Sequence, residues 1–167
     1  LGVTGVGPAM AGVMLSEIDI TKAEYPSSLH KYAGLDVASD GQGRSRKKEH
    51  LEDSEYVDAE GEVKVKKGIT FNPFLKTKLV GVLGSSFIKQ SPDKCVYRKI
   101  YDDYKHRLEH MDAHKEKSKG HRHNMAVRYM VKMFLVDLYN AWRRIEGLPV
   151  APTYSEAKLG KVHKIAA

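Results

Sequence analysis

A long run of apolar residues at helical spacing constrains the fold more than any other feature of this chain. Between about His121 and Glu146 apolar side chains recur every three or four positions, at Val127, Met130, Val131, Phe134, Leu135, Leu138, Trp142 and Ile145. Polar and basic residues lie mostly elsewhere, at Arg128, Lys132, Asn140, Arg143 and Arg144. This pattern predicts one long amphipathic helix that organises the core and ends at Gly147.

Prolines predict the starts of three further helices. Pro8 follows a glycine-rich turn, and Asn72 and Ser91 each place an N-cap residue before a proline at the first helical position. The helix after Pro92 carries apolar and tyrosine residues on one face, which we assign to the core: Tyr97, Ile100, Tyr101, Tyr104, Leu108 and Met111. The helix after Pro73 carries small residues that favour close packing of a partner helix: Gly81, Gly84, Ser85 and Ser86. The fold class expected is therefore mainly α, with a helical-bundle core.

A short stretch of alternating residues interrupts the helical pattern. Glu55–Val57 and Glu62–Lys66 flank Asp58-Ala59-Glu60-Gly61, which suits a tight turn. The strands are charged, so we expect one small β-hairpin on the surface. The expected organisation is a domain at 1–147, made of a helix-hairpin-helix-like segment (1–35), a basic loop and hairpin (36–70) and a helical core (71–147), followed by a flexible basic tail (148–167).

Composition favours a polyanionic partner. The chain has 28 Lys+Arg against 21 Asp+Glu, a formal net charge of +7, and its isoelectric point is about 9.4. The single Cys95 excludes an internal disulfide and a cysteine-based zinc cluster, which favours a reducing cytoplasm. No apolar run is long enough to cross a bilayer, so no membrane association is expected.

The turn Gly5-Val6-Gly7 before Pro8 is typical of a nucleic-acid backbone contact. Such a turn exposes backbone N–H groups at the positive end of a helix, where a phosphate can bind. The alternative is a tight turn that only leads into a core helix. Because the chain begins at Leu1 and leaves no room for a preceding helix, we expect it to be a fragment of a longer protein.

Two further clusters of residues are candidates for binding. Arg44, Arg46, Lys47 and Lys48 form either a solvated basic loop or a phosphate contact, and we predict the contact. A second cluster, of three histidines, shares one side of a helix: His106, His110 and His114. We interpret these histidines as polar surface or nucleic-acid contacts rather than as a metal site, and we expect no metal in this chain.

Taken in order, several segments resemble a known family. The residues are Gly5-Val6-Gly7-Pro8 leading into Leu15-Ser16-Glu17-Ile18, then Tyr25-Pro26-Ser27, then Leu29-His30-Lys31-Tyr32-Ala33-Gly34-Leu35, then a Ser/Gly/Arg loop, Lys67 to Thr70 and Lys117 to Asn124. This order resembles the C-terminal transposase domain of the IS one-ten family of insertion-sequence transposases. The resemblance extends to about Gly147.

The resemblance implies a DNA recombinase guided by a structured bridge RNA. Members of this family join an N-terminal ribonuclease-H-like domain, whose acidic residues bind magnesium, to a C-terminal domain that contributes a serine nucleophile. The implied partners are DNA, guide RNA and further copies of the full-length protein, and the implied magnesium belongs to the upstream domain.

The resemblance also locates the nucleophile in the loop after the Ala-Gly-Leu box. There the nearest counterpart is Ser39, in Ala38-Ser39-Asp40-Gly41, and Ser45 is a second candidate. The chain alone is expected to be inactive. Two alternatives remain open at this point: a noncatalytic helix-hairpin-helix DNA-binding module, and a helical protein-interaction domain.

Overall fold

The computed structural model describes residues 2–160, and it is mainly helical with one two-stranded antiparallel sheet. The helices are α1 Pro8–Glu17, α2 Pro26–Tyr32, α3 Pro73–Thr77, α4 Gly84–Ile88, α5 Val96–His110, α6 Lys119–Ile145 and α7 Tyr154–Leu159; the strands are β1 Glu52–Val57 and β2 Val63–Gly68. Short 3₁₀ turns occupy Ile20–Lys22, Lys48–His50 and Asp112–His114. Within this part of the chain no helix combines the length and the apolar character that a bilayer crossing needs.

Helix α6 organises the core, as the sequence predicts. It begins after Ser118, whose side chain accepts a hydrogen bond from the His121 N–H at 3.1 Å. Its buried side chains run from Ala126 to Arg143, and the ring of Phe134 lies 5.4 Å from that of Phe87 and 5.3 Å from that of Tyr97. Helices α2, α4 and α5 pack on this face, so the core forms around α6.

The last turns of α6 differ from the prediction. Ile145, assigned to the apolar face, is 82% exposed, and Leu138 and Trp142 are only half-buried. Arg143, assigned to the polar face, is buried. Its guanidinium donates to the carbonyl oxygens of Ile20, Ala23 and Pro149, at 3.0, 2.7 and 2.6 Å. These carbonyls allow a charged group to be buried, because a charge-assisted hydrogen bond replaces each lost water.

Helices α3 and α4 form one continuous rod through a π-helical segment, Lys78–Leu83. The rod begins after Asn72, whose side chain accepts the Leu75 N–H at 2.9 Å. Gly84 allows close approach to α6, since a Cβ there would lie 2.9 Å from Val127 Cγ1. Gly81 is exposed and has no such neighbour within 4 Å, so only one of the two glycines serves the packing.

Helix α5 starts later than predicted but buries the predicted face. The residues after Ser91 first form a turn, in which the Ser91 carbonyl accepts the N–H groups of Lys94 and Cys95. The helix itself begins at Val96. Tyr97, Tyr101 and Leu108 are buried. The assignment of the tyrosines to packing is confirmed for these positions.

The β-hairpin is confirmed as a charged surface element. Strands β1 and β2 pair antiparallel with Glu52 opposite Gly68 and Val57 opposite Val63, and nearly all their residues are exposed. The turn is closed by Asp58, whose carboxylate accepts the N–H groups of Glu60 and Glu62 at 3.0 and 2.9 Å.

The segment that follows α6 contains helix α7, within the flexible basic tail that the sequence predicts for 148–167. Helix α7 begins with a reciprocal capping box between Thr153 and Glu156. Before it, the Ala151 N–H donates to the Tyr139 hydroxyl, which itself donates to the Glu24 carbonyl at 2.6 Å. The flexibility of this segment stays a prediction, and residues 161–167 lie outside the described residues.

Candidate nucleophile and phosphate site

The loop after the Ala-Gly-Leu box is a tightly folded segment rather than an open loop. The Arg44 N–H donates to the Asp36 carbonyl at 3.0 Å, and the Ala38 N–H donates to the Gln42 carbonyl at 2.8 Å. Gly41 takes a positive φ of 76° at the tip, a backbone conformation that favours glycine. The 3₁₀ turn Lys48–His50 then folds the chain back, which brings distant loop positions together.

The result is a hydrogen-bond chain of three side chains: Ser45, His50 and Asp40. The Ser45 Oγ lies 2.9 Å from His50 Nδ1, and His50 Nε2 lies 3.0 Å from Asp40 Oδ2. The imidazole is buried, with 3% of His50 exposed, whereas Ser45 is half-buried and Asp40 is exposed. A serine, a histidine and a carboxylate in this order form the arrangement that activates a hydroxyl nucleophile.

The backbone determines which nitrogen of His50 carries the proton. The Ser45 N–H lies 2.9 Å from Nδ1, and a backbone N–H can only donate, so Nδ1 is the acceptor. The proton therefore lies on Nε2 and is donated to Asp40. The single lone pair of Nδ1 is then shared between the Ser45 N–H and the Ser45 hydroxyl, each 2.9 Å away, while the Lys47 N–H donates to Oγ at 3.3 Å.

Asp40 is held in its ionised form. The hydrogen bond from His50, followed by the bond from the Gln42 N–H, lowers the pKa of the Asp40 carboxyl below its ordinary value. An ionised carboxylate beside Nε2 would stabilise an imidazolium if Nδ1 took up a proton.

Ser39 and Ser45, the two predicted serines, differ in their surroundings. Ser39 is exposed, and among residues 2–160 its hydroxyl has no hydrogen-bond partner. Ser45 has a base within hydrogen-bond distance. His50 and Asp40 were not predicted as site residues, and their spacing about Ser45 gives no signal until the loop is folded. The geometry favours Ser45 over Ser39.

Half-buried cations pack against the same loop. Arg128 of α6 lies so close to Gly43 that a Cβ there would be 2.8 Å from its Nη2, and it donates to the Gly34 carbonyl at 3.3 Å. Lys76 of α3 donates to the Arg44 carbonyl at 2.6 Å. Both side chains therefore support the segment that carries Ser45.

These cations repel one another, and Asp36 is the carboxylate whose charge acts on all three. Burial, followed by the charge of Arg128, lowers the pKa of Lys76 to about 8 and lowers the pKa of Lys132 as well. Burial also lowers the pKa of Arg128. The negative charge of Asp36 acts against these shifts and raises the pKa of all three cations. The Asp36 carboxylate is, however, already paired with Arg44. A bound phosphate would relieve this repulsion.

The four predicted basic residues of the loop separate into two groups. Arg44 is engaged within the fold: its Nε and Nη2 donate to Asp36 Oδ2 at 3.0 and 2.8 Å, and its Nη1 donates to Glu52 at 3.0 Å. Only 12% of its side chain is exposed. The other three basic residues of the loop are exposed: Arg46, Lys47 and Lys48. These three are the loop cations that solvent or a polyanion can reach.

The turn Gly5-Val6-Gly7 packs on α4. Gly5 has a φ of 94°, and a Cβ there would lie 2.7 Å from Phe87 Cδ1. Its carbonyl accepts the Ser86 hydroxyl at 2.7 Å. Gly7 is the N-cap of α1 and supplies no side-chain cap. The glycine at position 5 thus has a packing role, while phosphate contact by this turn stays a prediction.

The histidines of α5 interact with each other. The rings of His106 and His110 lie 4.1 Å apart, and His110 Nδ1 is 2.7 Å from the His106 carbonyl. Over the described range, residues 2–160, no group of three or more His, Cys, Asp or Glu side chains is arranged to hold a metal ion.

Comparisons of the chain with protein-family models, with curated proteins and with solved structures give no significant match. The geometry of the Ser45 loop and of the cations behind it is therefore the basis of the functional interpretation.

Proposed function

We propose that this chain is the serine-bearing domain of a DNA transposase or recombinase, with Ser45 as its nucleophile. The observation that carries the proposal is the Ser45–His50–Asp40 hydrogen-bond chain, which lies on a loop supported by Arg128 and Lys76. The resemblance to the IS one-ten family supplies the context: an upstream magnesium-binding domain, DNA, a guide RNA and several copies of the full-length protein in a bacterial cytoplasm.

The proposed reaction uses the hydrogen bond between Ser45 and His50. Ser45 Oγ attacks the phosphorus of a phosphodiester while its proton passes to His50 Nδ1. The bond from phosphorus to one ester oxygen breaks, and that oxygen leaves as a hydroxyl after taking the same proton from the His50 imidazolium. A serine phosphodiester joins protein to DNA, so the ester bond is conserved and a second strand can be joined by the reverse reaction without nucleotide hydrolysis.

Cations near the Ser45 loop would stabilise the negative charge that develops on the non-bridging phosphate oxygens during the attack. Lys76 and Arg128 lie partly desolvated behind the loop, where an electrostatic interaction is stronger than in water. Arg46 lies near Lys76 and faces solvent, where it can contact the flanking phosphates. Magnesium held by the upstream domain would add Lewis-acid chemistry when bound.

A covalent protein–DNA adduct tests the proposal. The full-length protein is incubated with substrate DNA and guide RNA, and adducts are resolved on denaturing gels. Ser45→Ala is expected to abolish the adduct and Ser39→Ala to retain it, while circular dichroism and DNA affinity stay unchanged because each variant loses one hydroxyl from a polar loop.

Other outcomes separate the alternatives. Adduct loss in the Ser39 variant with retention in the Ser45 variant would contradict the assignment of Ser45. Full DNA binding with no adduct in the native protein would favour the noncatalytic helix-hairpin-helix module.

A further inference from the structure

An open groove lies between α2, α6 and α7, and its volume is about 660 Å³. Three tyrosines line it, Tyr25, Tyr129 and Tyr154, together with Lys132 and Lys158. Among the residues that the structure describes, no Asp or Glu lines the groove. A concave surface with aromatic rings, lysines and no carboxylate is complementary to an aromatic anion.

The tyrosines are available for stacking. Tyr25 is 55% exposed and Tyr154 is 71% exposed, so neither ring is buried in the core. Tyr129 is held in place because it stacks on Tyr104, with centroids 4.0 Å apart and planes 10° apart. Rings placed in this way accept the flat face of a nucleobase with little loss of side-chain freedom.

The charge inside the groove comes from lysine. His30 lines the groove, but burial followed by the charge of Lys132 lowers its pKa to about 4, so it is neutral at physiological pH. His30 Nε2 lies 3.1 Å from the Lys132 carbonyl, which holds the ring against α6. Lys132 and Lys158 therefore provide the cationic groups.

Helix α6 connects the groove to the Ser45 loop. Lys132 lies one helical turn from Arg128, and the like charge of Arg128 lowers the pKa of Lys132. Arg128 in turn packs on Gly43 of the Ser45 loop. Lys132 and Arg128 therefore lie in this order on α6 between the groove and the Ser45 loop.

We infer that this groove binds an unpaired segment of a nucleic-acid strand, with bases stacked on the tyrosines and phosphates following Lys132 and Lys158. The inference rests on the proposed function and deepens it, because it states where the strand next to the reacting phosphate lies. An unpaired strand is required, since the face of a base is accessible to a tyrosine ring only outside the duplex stack.

Fluorescence anisotropy tests the inference. The 167-residue chain is titrated into a fluorescein-labelled oligothymidylate of about 12 nucleotides, a length within the range that such strand-binding sites span. It is titrated separately into a labelled duplex.

The double variant Tyr25→Ala/Tyr154→Ala is expected to bind the single strand at least about tenfold more weakly, because it loses two stacking platforms. Its affinity for the duplex should change by less than about twofold, since a duplex offers no base face to these rings. Both positions are exposed, and matched melting curves verify folding.

Two control variants match the groove variants in residue type. Tyr56→Ala removes a tyrosine of the hairpin, and Lys99→Gln removes an exposed lysine of α5 that pairs with Asp103; both are expected to bind the single strand as the native chain does. Lys158→Gln is expected to weaken single-strand binding and to reduce its salt dependence.

The outcomes distinguish the groove from the proposed function. Native-like single-strand affinity in the double variant would overturn the groove while leaving the Ser45 site intact. Failure of the native chain to bind either nucleic acid would contradict both. Displacement of the oligonucleotide by thymidine monophosphate at micromolar concentration would identify a mononucleotide pocket and overturn the strand assignment.

Discussion

At the residue scale, Gly34 shows why the Ala-Gly-Leu box has a glycine at its centre. Gly34 has a φ of 64°, and a Cβ there would lie 2.6 Å from the ring of Phe71. Two residues before Gly34, the Tyr32 carbonyl accepts the Asn72 N–H at 2.8 Å. The box therefore fixes the end of α2 against the segment that leads into α3, and this contact sets the start of the Ser45 loop.

We predict that Gly34→Ala lowers the free energy of unfolding by about 2–4 kcal/mol, since it combines a strained positive φ with a steric overlap. Gly41→Ala is the control. Gly41 has a similar φ of 76° but nothing within 4 Å, so the destabilisation there should be about 1–2 kcal/mol. Urea unfolding measures both, and equal destabilisation would show that the Phe71 contact is unimportant.

Lys76 gives nucleic-acid binding a predicted pH dependence. Its pKa of about 8 lies below the ordinary value of 10.5, so the side chain is charged at neutral pH and gives up its proton as the pH rises through the pKa. DNA affinity is therefore expected to fall as the pH rises from about 7 to about 9, whereas Lys76→Arg, which keeps its charge, should flatten this dependence. Anisotropy titrations across this range would contradict the prediction if both proteins gave the same slope.

The residue scale is also where sequence reasoning is weakest. Ser45 could be named as a candidate because the family resemblance locates the nucleophile in the loop that contains it. Its base could not, because His50 reaches Ser45 only through the 3₁₀ turn Lys48–His50 and the turn at Gly41. The burial of Arg44 between Asp36 and Glu52 likewise depends on folding of the loop against β1.

At the element scale, the contact between α4 and α6 depends on one of two similar glycines. Gly84→Ala is expected to lower stability, because the new methyl meets the stiff, buried side chain of Val127 at 2.9 Å. Gly81→Ala is expected to raise stability by about 0.5–1 kcal/mol through helix propensity alone. Thermal and urea unfolding measure both variants, and stabilisation by both would show that α4 and α6 are not closely packed.

Element boundaries were predictable where a local signal determines them. Asn72 followed by Pro73 marks the start of α3 correctly, and the apolar period locates α6 to within two residues at its start. The π-helical segment Lys78–Leu83 was not predictable, because its side chains fit an α-helix equally well. Helix α7 was missed because six residues are too few to show a period, although Thr153 and Glu156 are a capping-box signal.

At the scale of the whole molecule, the mainly α class and the charged hairpin were predictable from periodicity and turn residues. The net charge of +7 was also visible, but its distribution was not. Arg44 and Arg143 are satisfied inside the fold, whereas Arg46, Lys47 and Lys48 face solvent. The position of a charge depends on which carbonyls and carboxylates the fold brings to it.

This distribution predicts the salt dependence of DNA binding. Replacing Arg46, Lys47 and Lys48 with alanine should reduce the slope of log affinity against log salt by about one unit for each DNA phosphate that these cations neutralise. Arg44→Ala should instead lower the free energy of unfolding, because it leaves Asp36 without its partner. Duplex titrations at several salt concentrations would contradict the account if the triple variant kept the native slope.

The most direct test of the central claim is the reaction of the 167-residue chain with an alkyl fluorophosphonate. This reagent presents a tetrahedral phosphorus with fluoride as the leaving group, so labelling reports attack by an activated hydroxyl without the upstream domain or magnesium. Tandem mass spectrometry is predicted to find the label on Ser45 in the native chain and in Ser39→Ala, to find none in Ser45→Ala, and to find much less in folded His50→Gln. A label on Ser39, or labelling of Ser45 no faster than in the urea-unfolded chain, would contradict the claim that His50 and Asp40 make Ser45 a nucleophile.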